Sequence, residues 1–136
     1  MIKQPRFVEV KVPRTRIGSV YVSITANGVI NFYSGTFDRY DIGKFSHCLL
    51  LLDKQQKLLG LQLLESGMRD GALPVVPHKS GRTAAVYARR FFELNPDIDL
   101  KAVRGKFIPE QYSDAERKNV LVLDLEKKID VKKRSR

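Results

Sequence analysis

One turn in the sequence has the chemistry of an anion site. Lys79-Ser80-Gly81-Arg82 sets a glycine bend between two cations, and backbone amides left free in such a bend can hold a phosphate oxygen. An ordinary polar hairpin turn fits the same residues. Arg89 and Arg90 follow at the predicted start of a helix. Positive charge there opposes the helix dipole and calls for an anionic ligand or for a carboxylate elsewhere in the fold. Arg14-Thr15-Arg16 and the terminal run with Lys132, Lys133 and Arg134 add cations suited to gripping phosphates without reading bases; a solvated tail is the alternative. Tyr21, Phe32, Tyr33, Tyr87 and Phe107 fall on predicted strands, where rings turned outward could stack on unpaired bases. Core packing explains most of them. Tyr33 and Tyr87 can hold their hydroxyls at a sheet edge and are the better candidates.

The residues that would make an enzyme are dispersed. His47 and Cys48 are adjacent, so on a strand they point to opposite faces and cannot share a metal or act as base and nucleophile. The chain has only one other histidine, His78. Asp38 with Asp41, and Asp97 with Asp99, have acid/base spacing, but carboxylates at helix ends and in loops are usually solvated. Gly43-Lys44 and Gly105-Lys106 lack the spaced glycines and following Ser or Thr of a phosphate loop. The expectation is a chain that is not an enzyme and uses no metal or cofactor.

Composition points toward polyanions. Lys and Arg number 25 against 15 Asp and Glu, a formal charge of +10. On so small a body that charge attracts nucleic acid. It is concentrated: residues 1–24 carry five cations and one anion, 69–92 five and one, and 127–136 six and one. The single cysteine cannot form an internal disulfide, and no secretion signal is recognisable at the start, so a reducing cytoplasm is expected. The apolar run from Cys48 to Leu52 is far short of the roughly 20 residues that span a bilayer.

Positioning falls to an α+β fold. Phe7 to Val12 alternates as a strand and is ended by Pro13. Val20–Ile24 and Val29–Tyr33 form a hairpin about Asn27-Gly28, whose two residues supply positive φ angles. Ser34 caps a short helix that Gly43 closes in a left-handed conformation. Cys48–Leu52 and Leu58–Leu63 bracket a polar reversal as two strands. The pattern then begins again: a strand at Leu73–Pro77, the turn at Lys79–Gly81, a strand at Arg82–Tyr87, a helix at Ala88–Asn95, and a second hairpin from Val103–Pro109 and Val120–Leu125. Gly28 matches Gly81, Tyr33 matches Tyr87, Phe37 matches Phe91, and Leu61–Glu65 echoes Val122–Glu126. Together these predict one domain over residues 1–126 made of two repeats, about 18–66 and 72–126, forming a pseudo-duplicated antiparallel sheet with two short helices. A basic tail, 127–136, follows and is expected to be disordered when free.

Two resemblances rest on these motifs. Residues 20–65, with Asn27-Gly28-Val29-Ile30-Asn31-Phe32, a short helix and strands ending in Gly60-Leu61-Gln62-Leu63, resemble the swapped-hairpin domains of bacterial transition-state regulators and antitoxins. Read as a repeated unit over 20–126, the chain resembles the double-wing DNA-binding domain of phage middle-promoter activators. The second resemblance implies an α+β saddle meeting DNA with basic residues such as Lys79, Arg82, Arg89 and Arg90, and a role in transcription regulation. The first unit lacks the basic turn usual in the swapped-hairpin family, so asymmetric binding is expected. The competing expectation is a structural or interaction domain, pairing through its leucine-rich hairpin with another chain or as a homodimer.

Overall fold

The computed structural model describes residues 19–129, together with Gln4 and Val8. The strand expected at Phe7–Val12 lies outside the described residues. The fold is α+β, with two five-stranded antiparallel sheets and three short α-helices, one more than the sequence suggests.

The first hairpin joins β1 (Val22–Ile24) to β2 (Val29–Phe32), with Val22 opposite Phe32 and Ile24 opposite Ile30. Its turn differs in detail from the sequence expectation. The Gly28 amide donates to Thr25 O at 3.0 Å and only Gly28 has positive φ, at 80°. The loop therefore has three residues and a glycine bulge, and Asn27 keeps negative φ. Helix α1 (Ser34–Arg39) starts with Ser34 already inside it and Tyr33 as its cap residue, so Ser34 does not cap it. At the other end Asp41 takes the left-handed conformation, at φ 53°, and Gly43 sits in a 3-10 turn, Ile42–Lys44. Gly43 is needed there for space, because a Cβ would lie 3.0 Å from the Phe37 ring.

The leucine hairpin forms as expected: β3 (His47–Asp53) pairs with β4 (Leu58–Leu64) along its whole length. The second unit opens with a strand broken in two, β5 (Leu73–Pro74) and β6 (Val76–Pro77), followed by β7 (Ala84–Tyr87), α2 (Arg89–Leu94) and α3 (Leu100–Val103). The unforeseen α3 is capped by Asp99, whose carboxylate accepts from the Lys101 amide at 3.0 Å. The last strands are β8 (Gly105–Phe107), β9 (Glu110–Tyr112) and β10 (Val120–Asp124). Here the expected hairpin is corrected. β10 pairs with β9, which the sequence reading left in the polar connection, while β8 leaves to pair with β1. Pro109, which lacks an amide proton, sits at the break between them.

The strand order explains why the two units cannot separate. One sheet runs β6-β7-β2-β1-β8 and the other β5-β3-β4-β10-β9. Counting β5–β6 and β8–β9 each as one bent path, eight paths close into a ring in which both bent paths belong to both sheets. The first strand of each unit pairs with the third strand of the other, β1 with β8 and β5 with β3. Equivalent strands meet across the middle, β2 with β7 and β4 with β10. This arrangement is compatible with a duplicated unit. The echo of Leu61–Glu65 in Val122–Glu126 is one residue out of phase, however, because Leu61 and Leu63 face the core as do Leu121 and Leu123.

The ring's interior is a single core. Val22, Ile24, Ile30, Phe32, Val86 and Phe107 from one sheet meet Cys48, Leu59, Leu61, Leu63, Leu121 and Leu123 from the other. The chain stays in the fold past the expected boundary at 126, since the Ile129 amide donates to Lys106 O at 2.8 Å. No helix among the described residues is long and apolar enough to cross a membrane.

Two glycines at matching turns separate local strain from packing. A Cβ on Gly28 would lie 2.7 Å from Arg89 Cα, whereas Gly81, also at positive φ, has nothing within 4 Å. Gly81→Ala should cost about 1–2 kcal/mol, the penalty of a side chain in the left-handed region. Gly28→Ala should cost at least about 2 kcal/mol more, as backbone must move. Urea unfolding of the two variants checks the order; equal losses would contradict the packing of the β1–β2 turn under α2.

Candidate nucleic-acid interface

Alternation on the first sheet sorts its aromatics by face. Phe32 and Phe107 point into the ring and are core residues. Tyr21, Tyr33 and Tyr87 lie on the outer face with Ser23, Val29, Asn31 and Ala85. Tyr87 ends β7 opposite Val29 and is 59% exposed. Tyr33 lies at the other end of the same strand pair. Its ring meets that of Tyr21 edge to face, with centroids 5.9 Å apart. Lys106, outward on β8 because Phe107 turns inward, holds its ammonium 5.2 Å from the Tyr33 ring centre and 5.8 Å from that of Tyr21. Both distances are within cation–π range. The sequence reading missed Lys106. Alternation in Gly105-Lys106-Phe107 is the available signal, but by residue type Gly105-Lys106 suggests only a phosphate loop.

Charge differs between the two sheets. The first sheet's strands and its two hairpin turns contain Lys79, Arg82 and Lys106 and no Asp or Glu. Arg104, Arg89 and Arg90 flank its strands. The second sheet with its turns mixes Asp53, Glu110, Asp114, Glu116 and Asp124 with Lys54, Lys57, Arg117 and Lys118. Among the described residues no carboxylate lies within ion-pair distance of Lys79, Arg82 or Lys106.

The Lys79–Arg82 turn is exposed, but fewer amides are free than the sequence suggested. The Gly81 amide donates to His78 O at 2.9 Å and the Arg82 amide to Ser80 Oγ at 3.3 Å. His78 and Thr83 close the hairpin through backbone and side-chain bonds. The turn thus offers its two side-chain cations more than a nest of amides.

Arg89 and Arg90 open α2 as expected, and a carboxylate does attend them. Glu93 accepts from Arg89 at 3.2 Å and lies 3.6 Å from Arg90. Two guanidiniums, 76% and 80% exposed, share one anion and leave a surplus charge. Such exposed pairs contribute little to stability. Arg89 also lies against Gly28, and the Ala88 amide donates to Gly28 O at 2.9 Å. This seats the start of α2 on the first hairpin. Lys128 donates to Ala102 O and Arg104 O, at 2.8 and 3.1 Å, bringing another cation close to β8. Arg14, Arg16, Lys132, Lys133 and Arg134 lie outside the described residues.

Several other titratable groups serve local structure. Asp97 pairs with Lys54 at 3.3 Å. His47 points away from Cys48 and bonds Ser46 Oγ through Nδ1 at 2.8 Å. Tyr112 donates to Asp114 at 2.6 Å, an interaction that pushes the phenol's pKa up and the carboxyl's down. Asp114 also accepts from the Glu116 and Arg117 amides, fixing the β9–β10 loop. Among the described residues no three His, Cys, Asp or Glu side chains are grouped to hold a metal. Comparison with protein-family models, with curated proteins and with solved structures finds no match to this chain.

Burial pushes the Cys48 thiol up to about 12. The reactive thiolate is then scarce near neutrality. Cys48 should resist a thiol reagent at pH 8 in the native protein and react at once in denaturant. Rapid labelling without denaturant would show that the ring opens locally at β3.

Proposed function

We propose that this chain is a nucleic-acid-binding module, with DNA as its polyanion and transcription regulation as its setting, and that the outer face of the first sheet is its contact surface. The observation that carries the reading is the segregation of charge: cations without carboxylates on one sheet, mixed signs on the other. A polyanion gains most where cations have no internal partners, because their attraction is not already spent on neighbours. Lys79, Arg82 and Lys106 meet that condition. The surplus charge of the Arg89–Arg90–Glu93 group extends the surface at the other end of β7. Asymmetry between the units fits the same proposal, since the uncharged first turn is packed under α2 while the basic second turn is open.

A second reading has its own observation. The second sheet's outer face carries half-buried Leu49, Leu51, Leu58, Leu64 and Val122 where polar residues would be usual. A groove of about 440 Å³ over Gly60 runs between Leu51, Leu58, Val120, Val122 and Tyr112. Such a face suits a protein partner or a second copy. Sedimentation at micromolar concentration distinguishes the cases, a strict monomer removing the homodimer.

A duplex of about 20 base pairs should bind at low salt, and affinity should fall about a hundredfold between 50 and 200 mM salt, as expected for roughly four neutralised phosphates. Arg82→Glu combined with Lys106→Glu should flatten that salt dependence by about two phosphates. Titration by fluorescence anisotropy reads both quantities. An unchanged slope in the double variant would remove this face from the contact surface.

A further inference from the structure

We infer that the outer face of the first sheet takes unpaired bases, stacked on Tyr87 and on the Tyr33–Tyr21 pair, with the strand's phosphates met by Lys106, Arg82 and Arg89. This rests on the nucleic-acid reading above and narrows it to single strands.

Tyr87 is the anomaly that motivates it. A tyrosine 59% exposed on a strand leaves most of its ring in water. Among the described residues no other ring and no cation packs on it. The ring stands at the end of β7, whose preceding outward residue Ala85 is itself buried, so Tyr87 is the one residue of this strand that reaches solvent. Two residues further on, Arg89 brings a guanidinium to the same end.

The opposite end of the β2–β7 pair repeats the combination. Tyr33 is four residues from Val29, the residue facing Tyr87, which sets the two aromatic sites about 13 Å apart along the strand. A few nucleotides cover that span. The Lys106 ammonium hovers over Tyr33 and Tyr21 with no carboxylate within ion-pair reach among the described residues. A base entering there would displace the ammonium from over the rings and leave it beside the stack for the adjoining phosphate. Between the two ends the outward residues are short, with Asn31, Val29 and Ser23 half-buried and Ala85 buried.

Unpaired bases are the ligand that uses these rings. In a duplex the base faces already stack on one another and the outside offers sugar and phosphate, so Tyr87 would gain little. A single strand exposes its π faces, and stacking on an aromatic side chain is worth roughly five- to a hundredfold in affinity per base.

The intact chain is titrated with a 20-nucleotide oligo-dT and with a 20-base-pair duplex, by anisotropy, at two salt concentrations. The sequence contains no tryptophan, so tyrosine emission is followed in the same samples. Oligo-dT should bind at least tenfold tighter than the duplex and quench tyrosine emission. Tyr87→Ala should weaken oligo-dT binding about tenfold while leaving its salt dependence unchanged, and Tyr87→Phe should retain wild-type affinity. Duplex affinity equal to or above that for oligo-dT, or an unaltered oligo-dT affinity in Tyr87→Ala, overturns the single-strand assignment and leaves the broader reading standing. If Tyr87→Ala fails to fold, tyrosine emission unquenched at saturation in the intact chain overturns the assignment instead. Binding to neither ligand at low salt overturns both.

Discussion

The exchange of first strands between the two units is the constraint on which the rest of the structure depends. β1 completes its pairing only by meeting β8, and β5 only by meeting β3. A unit isolated from its twin would leave those strands with unpaired amides and carbonyls and would expose half of the shared core. Neither half therefore has a closed hydrophobic interior of its own. The buried Leu59, Leu61 and Leu63 need Leu121 and Leu123 beside them and Ile30, Phe32 and Val86 across from them. Folding must then bring residues far apart in sequence together before much apolar surface is gained, the situation in which loop closure slows assembly.

Within this near-symmetric ring the two turns have opposite fates. Gly28 is wedged under Arg89, and its carbonyl receives the Ala88 amide. Gly81 bends into open space between Lys79 and Arg82. Packing fixes the glycine of the first turn, where a Cβ would strike the Arg89 backbone, while Ala26 and Asn27 beside it are exposed and uncharged. The glycine of the second turn meets no such neighbour. The units are alike in strand order and unlike in what they present.

Much of this was legible in the sequence, and the failures share a cause. Period-two alternation locates β1 and β2, apolar runs on either side of a polar stretch locate β3, β4 and β10, and the turn at Lys79–Gly81 locates β7. The hydroxyls of Tyr33 and Tyr87, which can sit at a sheet edge, set them apart from Phe32 and Phe107. What could not be read was partner choice. Val103–Pro109 and Val120–Leu125 look like the two arms of a hairpin, yet β8 crosses to β1 and the short, wholly exposed β9 takes the place beside β10. β9 has no apolar face to announce it, and its residues Glu110, Gln111 and Tyr112 read as loop. The helix-end errors are of the same kind. Ser34 and Gly43 have the right residue types for caps, but Tyr33 and Asp41 occupy those backbone positions, and Gly43 instead makes room for the Phe37 ring. Lys106 does not stand out in the sequence, since its importance comes from two tyrosines that only strand pairing brings near it.

Closure of the ring also decides which surfaces remain for function. Both inner faces are consumed by one core, so only the two outer faces, the turns and the short helices are left. The outer faces are chemically distinct: one is lined by half-buried leucines around a shallow groove, the other by tyrosines, small residues and cations. Because Tyr87 and Lys106 project from strands whose other sides are fixed by the core, their spacing does not depend on a ligand to organise it. A surface arranged before contact loses little entropy on binding. It also separates affinity from folding: exposed side chains on this face can change without touching the core that holds it. A protein that depended on its leucine face for stability in a larger assembly would behave otherwise, since changes there would alter folding and association together.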